Sequence, residues 1–147
     1  MKKFMFSALA IATIAFLSFT PKPTTKDVTT FTVDATKSKI DWTGSKKSDF
    51  HTGIFPIKSG SVQVDGGKLV GGSFVINVAG IKVTDGAGER LQNHLSSAEF
   101  FDIAKFADAT FTINKVVYTK ADKATITGNL SLHGISAPVT FTASIRN

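Results

Sequence analysis

From Thr29 to the end of the chain, apolar and polar residues alternate with a period of two. Ile126, Gly128, Leu130 and Leu132 interleave with Thr125, Thr127, Asn129 and Ser131. After a turn at 133–138, Val139, Phe141, Ala143 and Ile145 repeat the pattern against Thr140, Thr142 and Ser144. Phe31/Val33, Ile40/Trp42, Val62/Val64, Phe74/Ile76/Val78 and Phe111/Ile113 follow the same rhythm earlier. In an extended strand, successive side chains point to opposite faces, so each set lies on one side of a sheet. One apolar and one hydroxyl-rich face is the pattern of antiparallel strands with one wet side. Asp65-Gly66-Gly67 is a hairpin turn signal. So many short strands predict an all-β sandwich or closed barrel, closure removing exposed edges. About eight strands suffice to enclose one small ligand.

One stretch departs from this rhythm. After Asp85-Gly86-Ala87-Gly88, Leu91 and Leu95 stand four apart, a helical spacing. Ser96 and Glu99 then form an S-x-x-E capping pattern that predicts a second short turn of helix through Phe100-Phe101. One or two short helices near a barrel mouth are therefore expected.

The start of the chain differs in kind. Lys2 and Lys3 precede an uncharged, mostly apolar run from Phe4 to Phe19. Residues 1–20 read as a secretory signal, 21–28 as a linker containing Pro21 and Pro23, and 29–147 as one domain. The run is slightly short for a comfortable bilayer span, and a retained anchor is the rival reading. The expected location is periplasmic or secreted, with no stable membrane insertion once the signal is removed. No cysteine is present, so disulfides, thiolate chemistry and lipoprotein attachment are excluded. The formal charge of +6 falls to about +4 without Lys2 and Lys3, and the remaining lysines are dispersed. A nucleic-acid reader would gather them into a stripe, so no nucleic-acid partner is expected. A transmembrane barrel would need aromatic girdles at strand ends, and the aromatics here do not recur there.

His94-Leu95-Ser96-Ser97-Ala98-Glu99-Phe100-Phe101-Asp102 resembles the H-L-x-S-x-(D/E)-F-F-(D/N) signature of the YceI-like family. His51-Thr52-Gly53-Ile54-Phe55 is similar to its early H-x-G-x-F element, and Ala109-Thr110-Phe111 to a downstream element that ends in Phe. The stretch from Gly128 to Val139 resembles its G-x-L-x-(I/L)-x-G-x-(S/T)-x-P-V element. The likeness runs from about Phe31 to Ile145, with order and spacing kept. Two positions depart: Leu91-Gln92 stands where many members carry Arg-Asp, and Gly80-Ile81 where Ser-Ile is common. The resemblance implies a lipocalin-like antiparallel barrel, export, and an interior that holds an isoprenoid or other fatty chain.

A binding function needs an apolar cavity. Its candidate lining is Trp42, Phe55, Phe74, Ile76, Phe111, Leu130, Leu132 and Phe141, with Leu91, Leu95, Phe100 and Phe101 near a mouth. His94 is the best candidate for a head-group contact, and His133 reads as a structural turn residue. His51, His94 and His133 stand far apart with no H-x-H or H-E-x-x-H, so no metal site is expected. No G-x-S-x-G elbow or P-loop exists, and no catalytic residue or cofactor is assigned. The first expectation is therefore an exported protein that sequesters an isoprenoid, quinone-like or fatty chain. The alternatives are a small β-barrel enzyme using a histidine and a carboxylate, such as His94 with Asp102, and a ligand-free envelope protein acting through its outer face. A homodimer is left open.

Overall fold

The computed structural model describes residues 27–146, so the expected signal segment and nearly all of the linker lie outside the described residues. Eight strands and one helix follow in order: β1 (Thr29–Thr32), β2 (Lys39–Lys46), β3 (Asp49–Asp65), β4 (Lys68–Asn77), β5 (Lys82–Val83), α1 (Gly88–Ser96), β6 (Asp108–Lys120), β7 (Lys123–Leu132) and β8 (Ile135–Ser144). All pairings are antiparallel, in the order β1-β3-β4-β6-β7-β8, with β2 and β5 also paired to β3.

β3 organises the sheet. Its first half pairs with β2 and β5, and its second half with β1 and β4. Register shifts between Ile57 and Ser59 and between Gln63 and Val64 bend it, as bulges do. The turns on either side of the main meander have a common cause. Gly66 and Gly67 take φ of 55° and 77°, and His133 and Gly134 take 53° and 74°. Two-residue hairpin loops favour positive φ at both central positions, because that twist matches the strands they join.

The period-two reading holds where the sheet is most enclosed. Ala109, Phe111 and Ile113 are buried on β6 while Thr110 and Thr112 are exposed. Ala124, Ile126 and Gly128 are buried on β7. Ala109, Phe111, Ile113 and Ile126 join Ile57, Ile76 and Val78 in two adjoining apolar clusters. The outer face carries hydroxyls, including a Thr127–Thr140 hydrogen bond of 3.0 Å between β7 and β8.

Two expectations need correction. The sheet is not closed by hydrogen bonds: among the described residues no ladder joins β8 to β1 or β2. β1 offers only four residues, and Pro138 removes an N–H from β8, a substitution tolerated at sheet edges. Instead, Val139 and Phe141 of β8 look across an apolar cavity at Val33, Lys39 and Ile40. The second correction concerns 97–101, which forms a bend and turns and not a second helix. Ser96 Oγ donates back to the Gln92 carbonyl at 2.8 Å, so it is not free to cap. Ser97 Oγ accepts the Glu99 N–H at 3.3 Å instead. Asp102, at φ 45°, then turns the chain toward β6.

Candidate functional site

Three apolar pockets line up inside the curled sheet. The main cavity, about 460 Å³, lies among Phe74, Ile76, Phe111, Leu130 and Phe141, all anticipated from sequence. Leu69, Ile113, Ile126 and Val139 extend this wall, and Val33, Ile40 and Ile57 line it too. A second pocket of about 170 Å³ shares Ile40, Ile76 and Leu130 with the first and adds Phe55, Phe101 and Leu132. A third, of about 220 Å³, shares Phe55 and Phe101 with the second and reaches Trp42, Leu95 and Phe100. The shared walls make one row, from the β8 side to the end of the sheet where α1 lies. Ser38 and Lys39 bring the main cavity's few polar contacts.

Aromatic rings frame the α1 end. Phe100 and Phe101 meet edge-on at 4.8 Å, Phe101 meets Phe55 at 5.5 Å, and Phe55 lies 6.5 Å from Trp42. Such tilted and edge-to-face pairs are the favoured geometry for aromatic quadrupoles. α1 is held to this end by Gln92, whose Oε1 accepts the Val83 N–H at 2.9 Å while Nε2 donates to the Ile81 carbonyl at 2.6 Å. Gln92 occupies one of the two positions where many proteins with this signature carry Arg-Asp, and its amide fastens helix to β5.

Leu91 and His94 are placed differently from the rest. They face an outer, polar cleft of about 540 Å³ with Lys46, His51, Ala87 and Arg90. His94 is exposed, and its ring lies 5.9 Å from that of Phe100, at the border with the third pocket. His51 Nδ1 lies 3.2 Å from Asp85 Oδ2. That carboxylate also accepts the Thr52 N–H at 2.7 Å and the Ala87 N–H at 2.9 Å. These bonds, the Ala87 one foremost, hold Asp85 below the usual carboxylate range. Among the described residues, His51 is the histidine that meets carboxylates: Asp85 closely, and Asp49 more loosely at 3.8 Å. Asp102 instead pairs with Lys105 at 3.1 Å. His133 meets the Phe106 ring at a tilt, centre to centre 4.4 Å, away from the other two histidines.

Sequence reasoning found the aromatic lining but missed Ile40, Leu69, Ile113, Ile126 and Val139 in the main cavity, and Lys46, His51 and Arg90 in the cleft. Ile113, Ile126 and Val139 were legible, because each shares a strand face with a residue already chosen. The cleft was not, since it joins a β2–β3 hairpin to a helix some forty residues later.

The sequence model of the YceI-like domain matches residues 31–147. The chain belongs to the YceI-like family. A UPF0312 protein of Pseudomonas fluorescens is 34% identical over 106 residues, covering 71% of this chain and 55% of the relative. Protein YceI of Salmonella arizonae is 50% identical over a shorter stretch of 52 residues, 35% of this chain and 27% of that protein. This YceI-like chain thus spans about half the length of the curated relatives it matches. Among solved structures, Burkholderia cenocepacia BcnA superposes with a TM-score of 0.68 at 22% identity, over 78% of this chain and 72% of BcnA. That likeness establishes a shared lipocalin-like architecture.

The YceI-like motifs acquire physical roles here. Gly53 lies under Trp42, and Phe55 lines the second and third pockets. Gly128 leaves space that the Phe111 ring fills. The His-Leu-x-Ser signature delivers Leu95, Phe100 and Phe101 to the pockets and His94 to the cleft.

Proposed function

We propose that this YceI-like chain is an exported carrier that shields the apolar tail of an isoprenoid, quinone-like or fatty-chain amphiphile, without transforming it. The observation that carries this reading is the main cavity: about 460 Å³ of space walled by Val, Ile, Leu and Phe side chains and continued by two apolar neighbours. A domain that needed only a core would gain by filling that space, because lost packing costs stability. Its size lies within the range of small-molecule pockets. Each buried methylene contributes about 0.8 kcal/mol, so ten contribute roughly 8 kcal/mol, near micromolar affinity before association costs. Hydrophobic contact is non-directional, which favours selection by chain length over chain identity.

Family membership supports the same reading. The catalytic alternative has little to act with, since Asp85 already receives two backbone N–H groups beside His51. No helix among the described residues is long and apolar enough to cross a membrane. The testing experiment is native mass spectrometry of the full chain made in its own host, followed by organic extraction. A co-purifying lipid of matching mass supports the carrier. Recovery of protein with no lipid, and no uptake of added amphiphile, defeats it. N-terminal sequencing of the exported protein tests the signal: a start at Met1 removes cleavage.

A further inference from the structure

The polar cleft and the third pocket touch. His94 lines the first, Phe100 lines the second, and their rings lie 5.9 Å apart. Ala87, Arg90, Leu91 and His94 are spaced i, i+3, i+4 and i+7, so one stripe along α1 forms one wall. The opposite wall comes from Lys46 and His51 of the β2–β3 hairpin. No carboxylate lines the cleft.

We infer that this cleft receives an anionic head group, carboxylate or phosphate, of an amphiphile whose tail enters the third pocket past Phe100. The inference rests on the carrier reading and adds the chemistry of the head. Arg90 has no ion-pair partner among the described residues. Asp49 approaches the other cleft cations only loosely, lying 3.7 Å from exposed Lys46 and 3.8 Å from half-buried His51. Asp85 is already engaged by two backbone N–H groups and His51. Arg90 therefore keeps its planar fork of donors for an incoming anion, the geometry guanidinium groups offer carboxylates and phosphates. Lys46 adds a second charge across the cleft, and the exposed His94 ring adds a further nitrogen. An uncharged head would gain hydrogen bonds here but none of the charge attraction.

Oleate and oleyl alcohol carry the same chain and differ in the head. Titrated into the full chain below the micellar concentration of oleate and the solubility limit of the alcohol, oleate should bind about tenfold more tightly. Arg90→Gln should abolish most of that difference, weakening oleate far more than oleyl alcohol. Lys46→Gln gives a second, independent reduction and serves if the first variant does not fold. Acetate and inorganic phosphate alone should bind far more weakly than oleate. Equal affinity for acid and alcohol in the unaltered chain overturns the head-group assignment and leaves the carrier standing. Phosphate binding as tight as oleate, and sensitive to Arg90, also overturns it and makes the cleft a site for free anions. If neither long-chain compound binds, the carrier reading itself fails.

Discussion

Trp42 on β2 sits directly opposite Gly53 on β3, and its indole occupies the space a Cβ at Gly53 would need. The Lys82 carbonyl of β5 crowds the same spot from the other side. Glycine is thus required by close approach, where ring and backbone both press on one strand. Gly53→Ala should cost about 1–3 kcal/mol, measured by urea unfolding, since overpacking forces ring or backbone to shift. Trp42→Phe shrinks the ring and removes a buried Nε1–H with no protein partner. In that background the alanine should cost less, with a remainder owed to Lys82. An equal cost in both backgrounds would put the whole penalty on the backbone.

Past Gly72 and Ile113, where the β4–β6 ladder stops, the Tyr118 hydroxyl continues the connection by accepting the Leu69 N–H at 2.7 Å. Lys68 Nζ also sits 5.5 Å from the centre of the Tyr118 ring. Tyr118→Phe keeps the ring and deletes only the acceptor. The expected loss is about 0.5–1.5 kcal/mol, with amide exchange at Leu69 accelerated more than at Ile76. Unchanged exchange at Leu69 would mean that water replaces the hydroxyl without cost.

The strands and their inward faces were readable because period two is a local property: Phe111, Ile113 and Ile126 declare their side by their neighbours. Phe141 shows the limit. It has the right phase, but it lies on the outermost strand and stays 44% exposed while lining the cavity. Alternation gives a face, whereas burial depends on what stands opposite. The missing seam between β8 and β1 was illegible for a similar reason, since closure depends on accumulated bend and twist through β3. The Ser96 capping pattern failed because two adjacent serines compete, and Ser96 bonds back into its own helix. Gly53 could be recognised within its motif, but its reason, a tryptophan eleven residues earlier and a carbonyl from β5, is purely tertiary.

Asp85 ties the β2–β3 hairpin to the start of α1, and acid should undo that tie. Its carboxylate is held below the usual range first by the Ala87 N–H, then by the Thr52 N–H, with His51 adding less. A depressed folded-state value means that the ionised form stabilises the fold. The contribution is complete above the unfolded aspartate value, near pH 4, and fades as pH falls through the lowered one. Asp85→Asn should therefore be less stable than the unaltered chain at pH 7, with the gap narrowing toward pH 3. Asp34 is also lowered, through Thr36 and Lys37, but it is present in both proteins and cancels in the difference. Urea midpoints for the two proteins across pH 3–7 measure this, and a gap that does not change with pH refutes it.

Leu130 stands in the wall shared by the main cavity and the second pocket, as do Ile40 and Ile76. If a ligand chain threads the row, affinity should rise with length until the chain fills all three pockets, by about 0.8 kcal/mol or fourfold per methylene at most. Leu130→Trp places a larger ring at the junction. Short chains confined to one pocket should then bind nearly as before, while the gain from further methylenes stops early. Ile40 is 37% exposed and borders the same two pockets, so Ile40→Trp should give the same truncation with less strain on the core. A series of saturated fatty acids from about eight to eighteen carbons, titrated against the unaltered chain and both variants, reads this directly. An unaltered length dependence in folded variants would mean that the tail lies wholly in one pocket and never crosses the Leu130 wall.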